Sequence, residues 1–170
     1  MPESILNWYP LHRIRRNHAL EHATLHMLTR KKPHPPMGGY SDMAGFWIIG
    51  NVDTEDLEKA AEEALGRLGK GEKRLAISPN CGTNFATAGL LAGIAAWLGM
   101  LNPGKGLRRK MERLPMVVSL VTLALIVSQP LGPLLQARVT TSASPGSLKI
   151  SAIQPRQRKG IMVHRILTRD

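Results

Sequence analysis

Phe85-Ala-Thr-Ala-Gly-Leu-Leu-Ala-Gly-Ile-Ala-Ala-Trp-Leu-Gly-Met-Leu101 runs for 17 residues without a charge. Whether it is a core helix or a membrane helix decides the fold. A second uncharged stretch runs from Leu114 to about Leu135. It follows Asn102-Pro103-Gly104 and a basic run of Lys105, Arg108, Arg109, Lys110 and Arg113. About 20 apolar residues suffice to cross a bilayer. A chain of 170 residues has little left to wrap around two such helices in a soluble core. The pair therefore reads as a transmembrane helical hairpin, giving a multi-pass membrane protein with two spans and the lipid bilayer as partner. Gly89 and Gly93 form a G-x-x-x-G that would let the two helices approach closely. The cationic connecting loop belongs in the cytoplasm by the positive-inside rule. Against that, the N-terminus has no apolar core of a signal peptide that would export an 80-residue charged head, so sidedness stays open.

Outward from the hairpin, both flanks read as a mixed α and β head. On the N-terminal side, Phe46-Trp47-Ile48-Ile49 is a strand candidate. Asp53 caps a helix whose Leu57, Ala60, Ala61, Ala64, Leu65 and Leu68 recur at helical spacing until Gly69. Arg74-Leu75-Ala76-Ile77 reads as a second strand, giving a strand–helix–strand unit. Met37 to Gly45 reads as a glycine-containing loop that carries Ser41 and Asp42. On the C-terminal side, Arg138–Thr141, Leu148–Ile150 and Ile161–Leu167 are β-rich runs. Ser144-Pro145-Gly146 and the basic stretch Arg156–Gly160 separate them. The expected fold class is α+β: a small mixed sheet with two helices, plus a transmembrane helical hairpin inserted in the sequence. The expected division is 1–80 for the N-terminal part of the head, 81–137 for the hairpin and 138–170 for the C-terminal β part.

The formal net charge is +11, but it is unevenly placed. Residues 1–80 hold 11 Lys/Arg against 10 Asp/Glu, and residues 81–170 hold 12 against 2. Cations beside apolar segments suit anionic headgroups. Aromatics make up 4% of the chain and no nucleic-acid motif is present, so nucleic acid is not expected as a partner. A homo-oligomer is compatible with this reading. The single cysteine, Cys81, excludes an internal disulfide.

The chemistry concentrates in Asn17-His-Ala-Leu-Glu-His-Ala-Thr-Leu-His26. Asn17 suits an N-cap, and Pro33, Pro35 and Pro36 would stop the helix. Before it, Trp8, Tyr9 and Pro10 with Arg13, Arg15 and Arg16 read either as an interfacial segment or as an exposed arm. Residues four apart stack on one helix face, so His18, His22 and His26 form a ladder with Glu21 beside it. His18-Ala-Leu-Glu21-His22 also fits H-x-x-E-H, in which two histidines bind zinc and the glutamate activates water. A plain surface helix could show the same polar face.

Cys81 opens the first apolar helix, where the helix dipole favours a thiolate suited to metal ligation or nucleophilic attack. His18-Ala-Leu-Glu21-His22 followed by Cys81-Gly-Thr-Asn-Phe85 resembles a bacterial domain-of-unknown-function family of small membrane proteins. That resemblance covers most of residues 17–140, including Gly71-Glu72. Over the two motifs and the adjacent span alone, the chain is also similar to metal-dependent membrane enzymes with paired H-x-x-E-H and C-G-T-x-F motifs. The resemblance implies a shared site of His18, Glu21, His22 and Cys81 and no known substrate. Such families often carry a histidine three residues before the cysteine, where this chain has Ser78. The site is then one ligand short, or His26 replaces it.

The expected function is a metal-dependent hydrolase at the membrane surface. His18, His22 and Cys81, with His26, would ligate a divalent metal, zinc, and Glu21 would serve as proton acceptor. Two alternatives compete. One is a non-catalytic membrane-anchored module with a structural His/Cys cluster. The other is a Cys–His nucleophilic enzyme with Cys81 attacking and His22 as base.

Overall fold

The computed structural model describes residues 6, 8–31, 36–102, 104–158 and 160–170. Pro33 and Pro35, expected to end the first helix, lie outside the described residues, as do Pro103 and Lys159 of the expected linkers. The chain forms two compact units, one of Met1–Ser78 with Gln136–Asp170 and one of Pro79–Leu135.

The first unit is α+β. Helix α1 spans Leu11–Lys31 and α2 spans Thr54–Gly69. They pack on a sheet of β1 (Gly38–Asp42), β2 (Gly45–Ile49), β3 (Lys149–Arg158) and β4 (Ile161–Arg169). The strand order is β1-β2-β4-β3 and every pairing is antiparallel. The expected mixed sheet is therefore corrected. Residues Lys73–Ala76 form a 3₁₀ turn rather than a strand, so no strand–helix–strand unit exists. Gly38–Asp42, expected as loop, is a strand joined to β2 through Met43 and Ala44. Arg156–Arg158, expected as a separator, belongs to β3, and Gln136–Thr140 is a π-turn in place of a strand.

Asp53 caps α2 as expected, accepting from Glu55 N at 2.9 Å and Asp56 N at 3.3 Å. Leu57, Ala60, Ala64 and Leu68 of α2 meet Ala19, Leu20, Ala23 and Met27 of α1 over Phe46, Ile48 and Ile166. The alanines let the helices approach closely, and burial of the larger side chains drives assembly at about 1.5–3 kcal/mol each. His164, fully buried in this layer, shares a 3.0 Å hydrogen bond with Thr54 Oγ1, and its burial holds its pKa below the usual imidazole value.

Helix α1 begins six residues before the expected cap. Asn17 is interior and wholly buried; its amide donates to Asp42 O at 2.8 Å and accepts from Thr168 Oγ1 at 2.8 Å. Its polarity serves the tertiary structure instead of a helix end. The arginines before it are clamps rather than an arm. Arg13 donates to Thr168 O, Arg15 to Thr141 O, and Arg16 to Pro145 O and Asp170. Trp8 and Tyr9 are exposed.

The second unit is an antiparallel helical pair, α3 (Gly82–Gly99) and α4 (Leu107–Leu135). Gly132 of α4 lies against Asn84 at the start of α3, and Gly99 at the end of α3 lies against Val117 and Leu120. Those two glycines make the close approach. Gly89 and Gly93 face open space, which corrects the expected G-x-x-x-G contact. Among the described residues, one helical stretch, Leu107–Thr140, is long and apolar enough to cross a membrane. Helix α3, 18 residues with Thr83, Asn84 and Thr87 in its first turns, does not reach that measure. The expected two spans thus reduce to one qualifying helix.

Candidate metal centre

The histidine face of α1 is covered rather than solvated. His22 is 2% exposed and Glu21 is 4% exposed, so the plain surface-helix reading fails. Two carbonyls outside regular structure meet this face. His22 Nδ1 lies 2.8 Å from Ala76 O, at the end of the 3₁₀ turn. His18 Nδ1 lies 3.0 Å from Thr140 O, at the end of the π-turn. A carbonyl oxygen only accepts, so each Nδ1 donates a proton to it, and in the neutral ring this leaves the lone pair on Nε2. An N–H held by a backbone carbonyl fixes ring orientation and tautomer, the support that metal-ligating histidines use. The two rings sit edge to face with centroids 4.3 Å apart.

Cys81 is buried and forms the N-cap of α3, its Sγ accepting from Thr83 N at 3.4 Å. That N–H and the helix dipole stabilise negative charge on sulfur. One donor atom each from His18, His22 and Cys81 lies within 4.8 Å of the others. Two imidazoles and a thiolate suit a borderline-soft ion such as zinc. Tetrahedral bonds of about 2.0–2.3 Å put donors roughly 3.5 Å apart, against the 4.8 Å limit found here. The residues fit the ion.

His26 and Glu21 have different surroundings. His26 Nε2 is 2.8 Å from Ile77 O, so that nitrogen is a donor and His26 is not among the three converging residues. Glu21 lies on the strand side of α1, where Ser41 Oγ donates to Oε2 at 2.5 Å. Gly39 makes room for this carboxylate: a Cβ there would stand 2.7 Å from Oε1 and 2.6 Å from Trp47 O. Ser78, in the place of the resembled families' extra histidine, has its N–H and carbonyl on the amide of Gln136. Sequence reasoning missed Gly39, Thr140 and Gln136. Only Ser41 carried a signal, as a polar residue in a glycine-bearing segment.

The sequence profile of the "Domain of unknown function (DUF6391)" family matches residues 13–153, most of the chain and every residue of this cluster. The chain belongs to that family. It is also 37% identical over 155 residues to an uncharacterised protein of Picosynechococcus sp. (strain ATCC 27264 / PCC 7002 / PR-6). The match covers 83% of this chain and 71% of the relative. No solved structure matches the chain. The family match places the histidine helix and Cys81 inside one shared domain and carries no chemistry of its own.

Proposed function

We propose that this member of the family is a membrane-associated metalloprotein. His18, His22 and Cys81 hold a divalent ion, zinc by donor chemistry, and the reaction class is hydrolysis. The observation that carries the reading is the convergence of one donor atom each from His18, His22 and Cys81, with both Nδ1 atoms held by backbone carbonyls. An ion held there by His18, His22 and Cys81 would supply Lewis-acid activation. Glu21, its carboxylate oriented by Ser41, would be the group that takes a proton from the attacking water and passes it to the leaving group.

Membrane association rests on exposure and connectivity. Phe85, Leu90, Trp97, Val118, Leu123 and Ile126 are all more than half exposed, and 6% of the apolar window of α4 is buried. A soluble protein rarely shows so much apolar surface. Strands β2 and β4 pair, so the chain on either side of Pro79–Leu135 belongs to one folded unit. A single crossing would pull that unit apart across the bilayer, so α4 crosses only if α3 crosses with it. The polar side chains near the start of α3 are satisfied locally, Asn84 on Pro79 O and Thr87 on Thr83 O, as a lipid environment requires.

One observation favours a second reading, a structural ion without catalysis. The Glu21 carboxylate engages Ser41 and is not one of the three clustered donors. Glu21→Gln separates the two. Under the hydrolytic reading the variant keeps its metal and loses about 10²–10⁴-fold of ester or peptide reporter hydrolysis. A variant that hydrolyses at the wild-type rate removes the hydrolase.

A further inference from the structure

Both helices of the first unit cover one face of its sheet, packing on Phe46, Ile48 and Ile166. Side chains alternate along a strand, so the residues between these lie on the other face. There Tyr40, Trp47 and Arg165 form one row, as register partners across β1, β2 and β4. Tyr40 stacks on Trp47, with ring centroids 5.9 Å apart and planes 19° apart. Two guanidiniums reach the same indole from the other side of β2. The guanidinium carbon of Arg165, on β4, lies 4.9 Å from the ring centroid, and that of Arg156, on β3, lies 5.9 Å from it. A cross-strand ladder that only stabilises the sheet accounts for part of this arrangement. It explains Tyr40 on Trp47, and Arg165 Nη2 donating to Asp42 Oδ1 at 2.7 Å. It leaves two features over. Arg165 is 7% exposed, yet its Nη1 is buried with no hydrogen-bond partner. A buried donor without an acceptor costs about 1–3 kcal/mol. Arg156 brings a second positive charge to the ring and, among the described residues, forms no ion pair. Like charges drawn to one ring repel. One anionic acceptor set between the two guanidiniums would relieve both features.

We infer that Arg156 and Arg165, gathered on Trp47 at the open face of the sheet, form a binding site for a phosphoryl group. Guanidinium forks match phosphate oxygens, and a phosphoryl group has enough oxygens to serve two forks. Asp42 holds Arg165 by Nη2 and leaves Nη1 for the ligand. The indole takes up the flat faces of the guanidiniums, so their N–H edges stay available to an acceptor. The phosphoryl group of a soluble ester and that of a lipid headgroup offer the same chemistry here. Every residue of the site belongs to the first unit, so the inference depends on neither the metal nor the membrane reading.

Trp47 is its own reporter. The test is tryptophan fluorescence of the full chain in mild detergent, with the exposed Trp8 and Trp97 replaced by Phe. Inorganic phosphate should change the emission saturably, and chloride at the same ionic strength should not. Arg156→Gln, at an exposed position, should bind phosphate about tenfold more weakly, as loss of one charge-assisted hydrogen-bonding group implies. Arg165→Lys keeps a charge beside Asp42 but removes the orphaned Nη1, and should weaken binding to a similar degree. Arg108→Gln makes the same charge change at an exposed position of α4 and should leave phosphate binding unaltered. Equal weakening by Arg156→Gln and Arg108→Gln would mean charge screening alone and would overturn the proposal. If Arg165→Lys does not fold, Arg156→Gln and its control decide. Glycerol 3-phosphate and mixed detergent micelles containing phosphatidic acid separate the two sources. A response to the ester assigns a soluble ligand; a response to the micelles without one to the ester assigns a lipid headgroup; either upholds the site. No saturable response to any of the three probes would overturn it.

Discussion

Leu123→Arg combined with Ile126→Arg is expected to drive the chain out of the membrane fraction. Both side chains are more than half exposed near the middle of the uncharged part of α4. Each arginine costs about 2.5–3.5 kcal/mol at the centre of a spanning helix, so the pair costs roughly 5–7 kcal/mol. Neither faces the α3 contacts at Gly99 and Gly132, so the helical pair itself should survive. Carbonate-washed membranes should retain wild type and release or fail to accumulate the variant. If α4 instead lies against water, the substitutions improve solubility and wild type itself appears in the soluble fraction. That result would contradict the membrane reading while leaving the metal centre intact.

Gly45→Ala is expected to unfold the head. Gly45 opens β2 with φ at +148°, and a Cβ built there would stand 2.0 Å from Ile166 O, across the β2–β4 pairing. Neither atom has a flexible side chain that could move away. Backbone strain of about 1–3 kcal/mol adds to overpacking of about 1–3 kcal/mol or more. Against a typical stability of about 5–15 kcal/mol, that is a large share. The damage reaches the core because Phe46 and Ile166, adjacent in the register, are its fully buried centre. Thermal unfolding should show a strongly lowered midpoint or no cooperative transition. Gly66→Ala, in open space on α2, is the control and should be neutral or slightly stabilising. An unchanged midpoint in Gly45→Ala would contradict the β2–β4 register.

The parts of this fold visible in the sequence are those fixed by local chemistry. Asp53 and the leucine–alanine repeat specify α2 because cap and apolar face are written side by side. Ile161–Leu167 is rich in strand-forming residues, as befits the strand it becomes. The segments whose residues are spent on distant partners were not legible. Asn17 looks like a cap but binds Asp42 and Thr168. Arg74–Ile77 looks like a strand, yet the carbonyls at its end serve His22 and His26 instead of a ladder. Gly38 to Asp42 has no apolar alternation, because a glycine is needed where the Glu21 carboxylate comes close. At the site, four-residue spacing places His18 and His22 together on one helix face. No local pattern reveals that Thr140, 122 residues on, selects the tautomer of His18. Nor does any local pattern separate His26 from its two neighbours: only the contact with Ile77 does so.

The central claim is a joint histidine–cysteine metal site. Its most direct test is elemental analysis of protein purified in mild detergent without chelator, wild type beside His22→Ala and Cys81→Ser. The account predicts about one zinc, or another divalent ion, per wild-type chain, with loss in both variants while their helical content is retained. Wild-type protein that holds no metal after reconstitution would contradict it, as would a Cys81→Ser chain that keeps its full complement.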